Sequence, residues 1–241
     1  MPPLLALPSL SSPYLTSQSY GLLSVLLQSP TLTLPAPNIL SSLLQFSPTH
    51  HSQAESWLEA VENTMVALGR TSSEDCLASL ERVWMLVKSW IISDEVAIRL
   101  ASERALCAIA RYCITDRHIL DAARAVTKKT QGGGAETPVE TIVSDLKDMF
   151  HAVTYANAVS SLLSVLSALL SRFRIRIPSE TPASRTAAEL FLSELVQHVG
   201  TLRISKGFEY KQQADETLGT AIRVLGPEAF LNLLPLNIIP K

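Results

Sequence analysis

Proline placement is the strongest constraint on what this chain can fold into. The ring fixes φ and removes an amide donor, so proline is excluded from helix interiors. All fourteen prolines lie within 2–48 or 138–240, and 49–137 contains none. Only Gly69 and the run Gly132, Gly133, Gly134 interrupt that stretch. Within it Leu77, Leu80, Trp84, Val87 and Ile91 recur at three and four residues, and so do Ile98, Ala101, Ala105, Ile109 and Tyr112. That period marks helix faces.

The same period returns outside the proline-free stretch wherever turn signals allow it. Ser12 followed by Pro13 opens a helix carrying Leu22, Leu23, Leu26 and Leu27, because a serine cap with proline in the first turn suits the orphan amide groups there. A linker over 30–37 leads to a short helix with Ile39, Leu40, Leu43 and Leu44. Ser52 with Glu55 reads as a capping box for a third helix striped by Trp57, Val61, Met65 and Leu68. Ser72 or Ser73 opens a fourth, expected to end near Ser93, while Asp94 and Asp116 read as caps of a fifth and a sixth. A long helical pattern over 139–173 with a kink near Thr154, a helix opened by Pro182, another over 208–225 and a last one at Pro227 complete the chain.

No segment reads as a convincing strand. Some ten helices in successive antiparallel pairs, at about forty residues per pair, predict an all-α solenoid of HEAT or armadillo type, with a compact helical bundle as the competing architecture. The chain divides into a Pro/Ser-rich start over 1–48, proline-free helices over 49–137 and further helices over 138–241.

Composition limits the function classes. Hydrophobic residues make up 47% and charged residues 17%, which excludes an acidic disordered chain. Twenty basic against twenty-two acidic side chains give a net charge of -2, so there is no global positive field for nucleic acid and any RNA contact needs a local patch. Cys76, Cys107 and Cys113 are odd in number and irregular in spacing, and read as reduced, buried core residues. The first 54 residues carry no charge, but prolines break them and no arginine suits them to a transit peptide. A second uncharged stretch over 155–171 holds five serines and an asparagine, and reads as a buried helix rather than a membrane span.

Catalytic and metal-binding patterns are not evident. The five histidines are scattered, and no pair sits one helical turn apart as a metal site on one face would need. Neither a nucleophile elbow nor a phosphate-cradling loop occurs, and 132–134 reads as a surface loop. The acidic pairs Glu74, Asp75 and Asp94, Glu95 fall at helix starts, where negative charge favours the positive end of the macrodipole. We therefore expect no enzyme activity, cofactor or metal. The most suggestive polar feature is Arg172, Arg174 and Arg176, interleaved with Phe173, Ile175 and Ile177. Extended, these arginines share one edge suited to phosphate or an acidic partner; in a helix end they complement the dipole and stay solvated. Lys128 with Lys129, and Arg203 with Lys206 and Lys211, are weaker candidates.

The run Ala221-Ile222-Arg223-Val224-Leu225-Gly226-Pro227-Glu228-Ala229-Phe230-Leu231-Asn232-Leu233-Leu234-Pro235-Leu236-Asn237 resembles a signature of the ribosomal RNA-processing protein 12 family. The opening Ser12-Pro13-Tyr14-Leu15-Thr16 with Gly21-Leu22-Leu23-Ser24 is similar to a helix start in the same proteins. The resemblance implies a HEAT-repeat ribosome biogenesis factor, without catalysis, that works on pre-ribosomal particles in the nucleus and nucleolus. Pre-rRNA processing, subunit export with shuttling to the cytoplasm, and links to nucleoporins and Ran belong to what it implies. Family members are several times longer, so the chain reads as a piece of such a protein. An importin-like transport adaptor and a membrane-associated helical protein are the alternatives.

Overall fold

A computed structural model describes residues 12–29, 34–129, 136–178 and 185–235. The loop at 132–134, the helix start at Pro182 and the stretch 236–239 lie outside the described residues. Among those described the chain is helical, with one isolated antiparallel bridge, Arg176 to Thr186, and no strand. It packs as two units, Met1–Cys113 and Ile114–Lys241. Helices pack on their chain neighbours and on their second neighbours, the arrangement of stacked helical hairpins. The fold is all-α and of HEAT type.

The first unit contains α1 (Pro13–Gln28), α2 (Ala36–Gln45), α3 (His51–Thr71), α4 (Ser73–Lys88) and α5 (Val96–Tyr112). Its centre is α3, which packs against all four others. Trp57, Leu58, Val61, Met65 and Leu68 recur at helical spacing and are fully buried there. Burying so much apolar surface favours the fold at roughly 25 cal/mol per Å² removed from water. Most polar groups carried inside are satisfied locally, the buried Ser24 hydroxyl being an exception. Trp57 Nε1 donates to the Leu43 carbonyl at 2.9 Å, Tyr20 Oη to Phe46 O at 2.8 Å, and Ser102 Oγ to Val87 O at 2.7 Å. Burial pushes the Tyr20 hydroxyl up to about 12. All three cysteines are buried and free, and Cys76 and Cys113 both donate weakly to the Met65 carbonyl.

Helix ends depart from the expected positions for traceable reasons. Ser52 lies inside α3, whose N-cap is His50 without a side-chain bond, so the box with Glu55 does not form. The α4 helix stops at Lys88, and turns fill the interval to α5. Asp94 does not cap α5; Ser93 Oγ instead accepts from the Glu95 amide at 3.2 Å. Ser12 and Ser72 do cap α1 and α4. Trp57 and Trp84 are core residues, whereas Trp90 is half-buried and meets His51 edge-on at 5.6 Å.

The second unit contains α6 (Asp116–Lys129), α7 (Pro138–His151), a 3-10 turn (Val153–Ala158), α8 (Val159–Arg172), α9 (Ala187–Phe191), α10 (Ser193–Ile204), α11 (Lys211–Leu225) and α12 (Pro227–Leu233). The long pattern over 139–173 is thus broken by the 3-10 turn that contains Thr154. A capping box starts α7: the Thr137 hydroxyl accepts from the Glu140 amide at 3.3 Å, and the Glu140 carboxylate accepts from the Thr137 amide at 2.9 Å. The 20 residues Val153–Arg172 are apolar enough to cross a membrane by length and composition, yet in α8 Leu162, Leu163, Val165, Leu166, Leu169 and Leu170 are buried inside the unit. Here α8 packs against α7 and α11, and the α11 side of that contact is small: Ala214, Thr217, Thr220 and Ala221 are buried on it. Thr217 Oγ1 donates both to its own helix and to the Leu163 carbonyl, at 2.9 and 3.3 Å.

Two measurements test this packing. A Cβ at Gly69 would sit 2.6 Å from the Tyr112 carbonyl oxygen, whereas one at Gly21 meets nothing within 4 Å. Alanine at Gly69 is therefore expected to destabilise by about 1–3 kcal/mol through overpacking, and alanine at Gly21 to stabilise by up to about 1 kcal/mol, both read by urea denaturation. At α7, burial alone would raise the Glu140 carboxyl, but hydrogen bonds from Lys129 at 2.8 Å and from Thr137 hold it below its ordinary 4.5. Its contribution is therefore complete above pH 4.5 and is lost as pH falls through the lower folded value. Glu140→Gln should flatten that part of the stability-against-pH curve.

Candidate interaction cleft at the Gly-Pro-Glu elbow

The described part of the longer resemblance-bearing run, 221–235, forms one feature of the second unit. Gly226, at φ 85°, ends α11 and opens α12, a conformation that glycine adopts without a Cβ penalty. Its amide bonds back to the Ile222 carbonyl, and Pro227 takes the first turn of α12, where a missing amide hydrogen costs nothing. The chain turns sharply there. Beyond α12 the Leu234 side chain lies over Gly200 of α10, where a Cβ would come within 2.5 Å of it. The elbow is therefore pinned at both ends.

Facing the elbow is the segment that follows α8. It is neither wholly extended nor wholly helical. Arg172 closes α8, a turn follows, and then Ile177 N donates to Arg185 O at 2.9 Å while Ala187 N donates to Ile175 O at 2.8 Å. This short ladder holds Phe173 in the core against Phe191, ring centroids 5.7 Å apart. The three arginines consequently part company. Arg172 is half-buried; its Nη2 lies 2.7 Å from Asp116 Oδ1 and its Nε donates to the Ile114 carbonyl, so it anchors the start of α6. Arg174 and Arg176 are exposed, and neither has an ion-pair partner among the described residues.

Between ladder and elbow lies an open cleft of about 590 Å³. Arg176, Arg185 and Glu189 line one wall, Glu228 and Asn232 the other, with Leu225 and Leu233 contributing apolar surface. Arg185 reaches Glu189 only loosely, at 3.7 Å, and is largely exposed. Thr186 caps α9 by accepting from the Glu189 amide, which fixes the ladder to that helix. Sequence reading missed Arg185, Glu189, Glu228 and Asn232, which come from segments some forty residues apart. The available signal was Gly226 followed by Pro227, which predicts a sharp turn but not what it faces.

The weaker basic groups are scattered. Lys129 pairs with Glu140 at 2.8 Å and Arg203 with Asp215 at 2.5 Å, while Lys128, Lys206 and Lys211 are exposed. Among the described residues no three His, Cys, Asp or Glu side chains are grouped to hold a metal ion. His198 packs against His151 at 4.5 Å and Phe150 at 5.8 Å; burial, then the neighbouring imidazole, lowers its basicity.

With this geometry in hand, comparison with known proteins becomes specific. The profile for ribosomal RNA-processing protein 12, HEAT repeats, matches residues 92–241, which include both walls of the cleft. The chain belongs to the ribosomal RNA-processing protein 12 HEAT-repeat family. Among curated family relatives, the RRP12-like protein of Gallus gallus is 25% identical over 218 residues, 88% of this chain and 16% of its own length. A putative ribosomal RNA-processing protein 12 of Schizosaccharomyces pombe is 23% identical over 83% of this chain and 15% of its own. The RRP12-like protein of Homo sapiens is 22% identical over 83% and 14%. The chain thus spans about a sixth of the length of these relatives. The crystal structure of an engineered protein superimposes with a TM-score of 0.51 at 15% identity, covering 98% of this chain and 89% of that one. That likeness concerns the fold alone.

The elbow has its own test. Alanine at Gly226 must adopt a φ that costs an L-residue roughly 1–2 kcal/mol, so Gly226→Ala should lower thermal stability by that order, while Gly219→Ala, inside α11 with nothing within 4 Å, should not.

Proposed function

We propose that the chain is a non-catalytic docking element of a ribosome biogenesis factor, acting in pre-rRNA processing and in the maturation and export of pre-ribosomal subunits. The observation that carries this reading is the family match over 92–241, which falls on stacked helices rather than on a reactive site. The disposition of polar groups agrees with it. Many charged side chains of the second unit serve ion pairs, as in Lys129 with Glu140, Lys147 with Glu194 and Arg203 with Asp215, and the thiols of the first are buried. Such a surface binds by shape and scattered charge.

Its partners in this reading are pre-ribosomal particles, met mainly through their proteins, with nucleoporins and Ran as contacts during export. Nucleus and nucleolus are the places of action. Arg174 and Arg176 are the two arginines of the original three left to meet an acidic group, since Arg172 is held by Asp116. The relatives carry ribosomal RNA-processing names, which favours this reading over a transport adaptor.

The test is sedimentation of the tagged chain from nuclear extract on a sucrose gradient. The chain should travel with pre-ribosomal particles at low salt, and joint Arg174→Glu and Arg176→Glu substitution should weaken that association most at low salt, the difference from the unaltered chain shrinking as salt screens the contact that was removed. A chain that stays at the top of the gradient while folded contradicts the proposal.

A further inference from the structure

The cleft at the elbow carries more than a place on a surface. Three polar side chains around it, Arg176, Glu228 and Asn232, have no hydrogen-bond or ion-pair partner among the described residues. Glu228 and Asn232 are four apart on α12 and share a face. Their oxygens accept hydrogen bonds, and the Asn232 amide also donates, which matches the alternating donors and acceptors of an extended main chain. Opposite them stands the free Arg176 guanidinium, with Arg185 only loosely engaged. Apolar surface from Leu225 and Leu233 lies between.

We propose that this cleft takes an extended peptide segment of a protein partner in which an apolar side chain neighbours a carboxylate. The apolar side chain packs on Leu225 and Leu233, the carboxylate pairs with Arg176, and the peptide backbone bonds Glu228 and Asn232. Its volume, about 590 Å³, lies within the usual range for a built binding site. RNA fits the same walls poorly. Among the described residues no aromatic side chain lines the cleft to stack a base. This assignment rests on the docking reading and names the partner chemistry of one site within it.

The experiment is a fluorescence-anisotropy titration of the full chain with a labelled short peptide in which leucine and glutamate alternate. The comparison probes are a twin with lysine for glutamate and a labelled oligouridylate. The leucine-glutamate peptide should bind saturably and the lysine twin should not. Arg176→Glu should weaken binding at least about tenfold, the worth of one charge-assisted pair. Asn232→Trp, which fills the cleft from an exposed position, should do the same, and Lys206→Glu, outside it, should change nothing. Arg176→Gln serves as the milder variant, and circular dichroism confirms that each is folded. Absence of saturable peptide binding by the folded chain overturns the assignment, as does binding indifferent to both Arg176→Glu and Asn232→Trp, or oligouridylate that binds and displaces the peptide. Peptide binding with these sensitivities in a chain that fails to sediment with pre-ribosomal particles upholds the cleft and removes the ribosomal reading instead.

Discussion

A helix that is apolar on most of its circumference has no stable place in water except between other helices. In the second unit α8 meets that condition between α7 and α11, and in the first α3 buries one broad face, from Ala54 to Leu68, against all four of its neighbours. The requirement sets much else. Polar atoms that enter with them must be bonded inside, because an unsatisfied buried donor costs about 1–3 kcal/mol. Trp57 therefore reaches the Leu43 carbonyl and Thr217 spans from its own helix to Leu163. Close approach must be possible too, which is why Gly69 meets the Tyr112 carbonyl and why small residues of α11 face α8.

This constraint also explains which parts of the structure could be read from the amino-acid order. Spacing of Trp57, Val61, Met65 and Leu68 reports burial directly, and the absence of proline over 49–137 removes the main obstacle to helices. The uncharged stretch around α8 was legible as a core helix because its serines and asparagine argued against lipid. Helix ends were less legible. A cap is one or two hydrogen bonds that several nearby residues can supply: Ser93 bonds the Glu95 amide beside the start of α5 while Asp94 does not cap it, and the Ser52 box is absent because the N-cap of α3 is His50, two residues earlier. Local sequence does not discriminate among such near-equal options.

The candidate site shows a different limit. Its resemblance-bearing run, with Gly226 and Pro227, was visible as a turn between helices. The segment opposite reads either as an extended edge with three arginines on one side or as a helix end, and the structure divides the arginines because α8 extends through Arg172 before the backbone straightens. Asp116 then takes Arg172, a contact over a long stretch of sequence that no periodicity encodes. Arg185, Glu189 and Asn232 reach the cleft only through tertiary packing. Chemistry distributed over the surface of a helical repeat is invisible until the repeat is assembled.

The central claim, that α3 and α8 are held by neighbouring helices in water rather than by lipid or by a loose collapsed state, is tested most directly by native-state amide hydrogen exchange on the chain in aqueous buffer. The account predicts the slowest exchange in α3 and α8, with α5 and α11 close behind and the short helices α9 and α12 fastest. Rapid exchange throughout α8, or slow exchange there only after lipid vesicles are added, would contradict it.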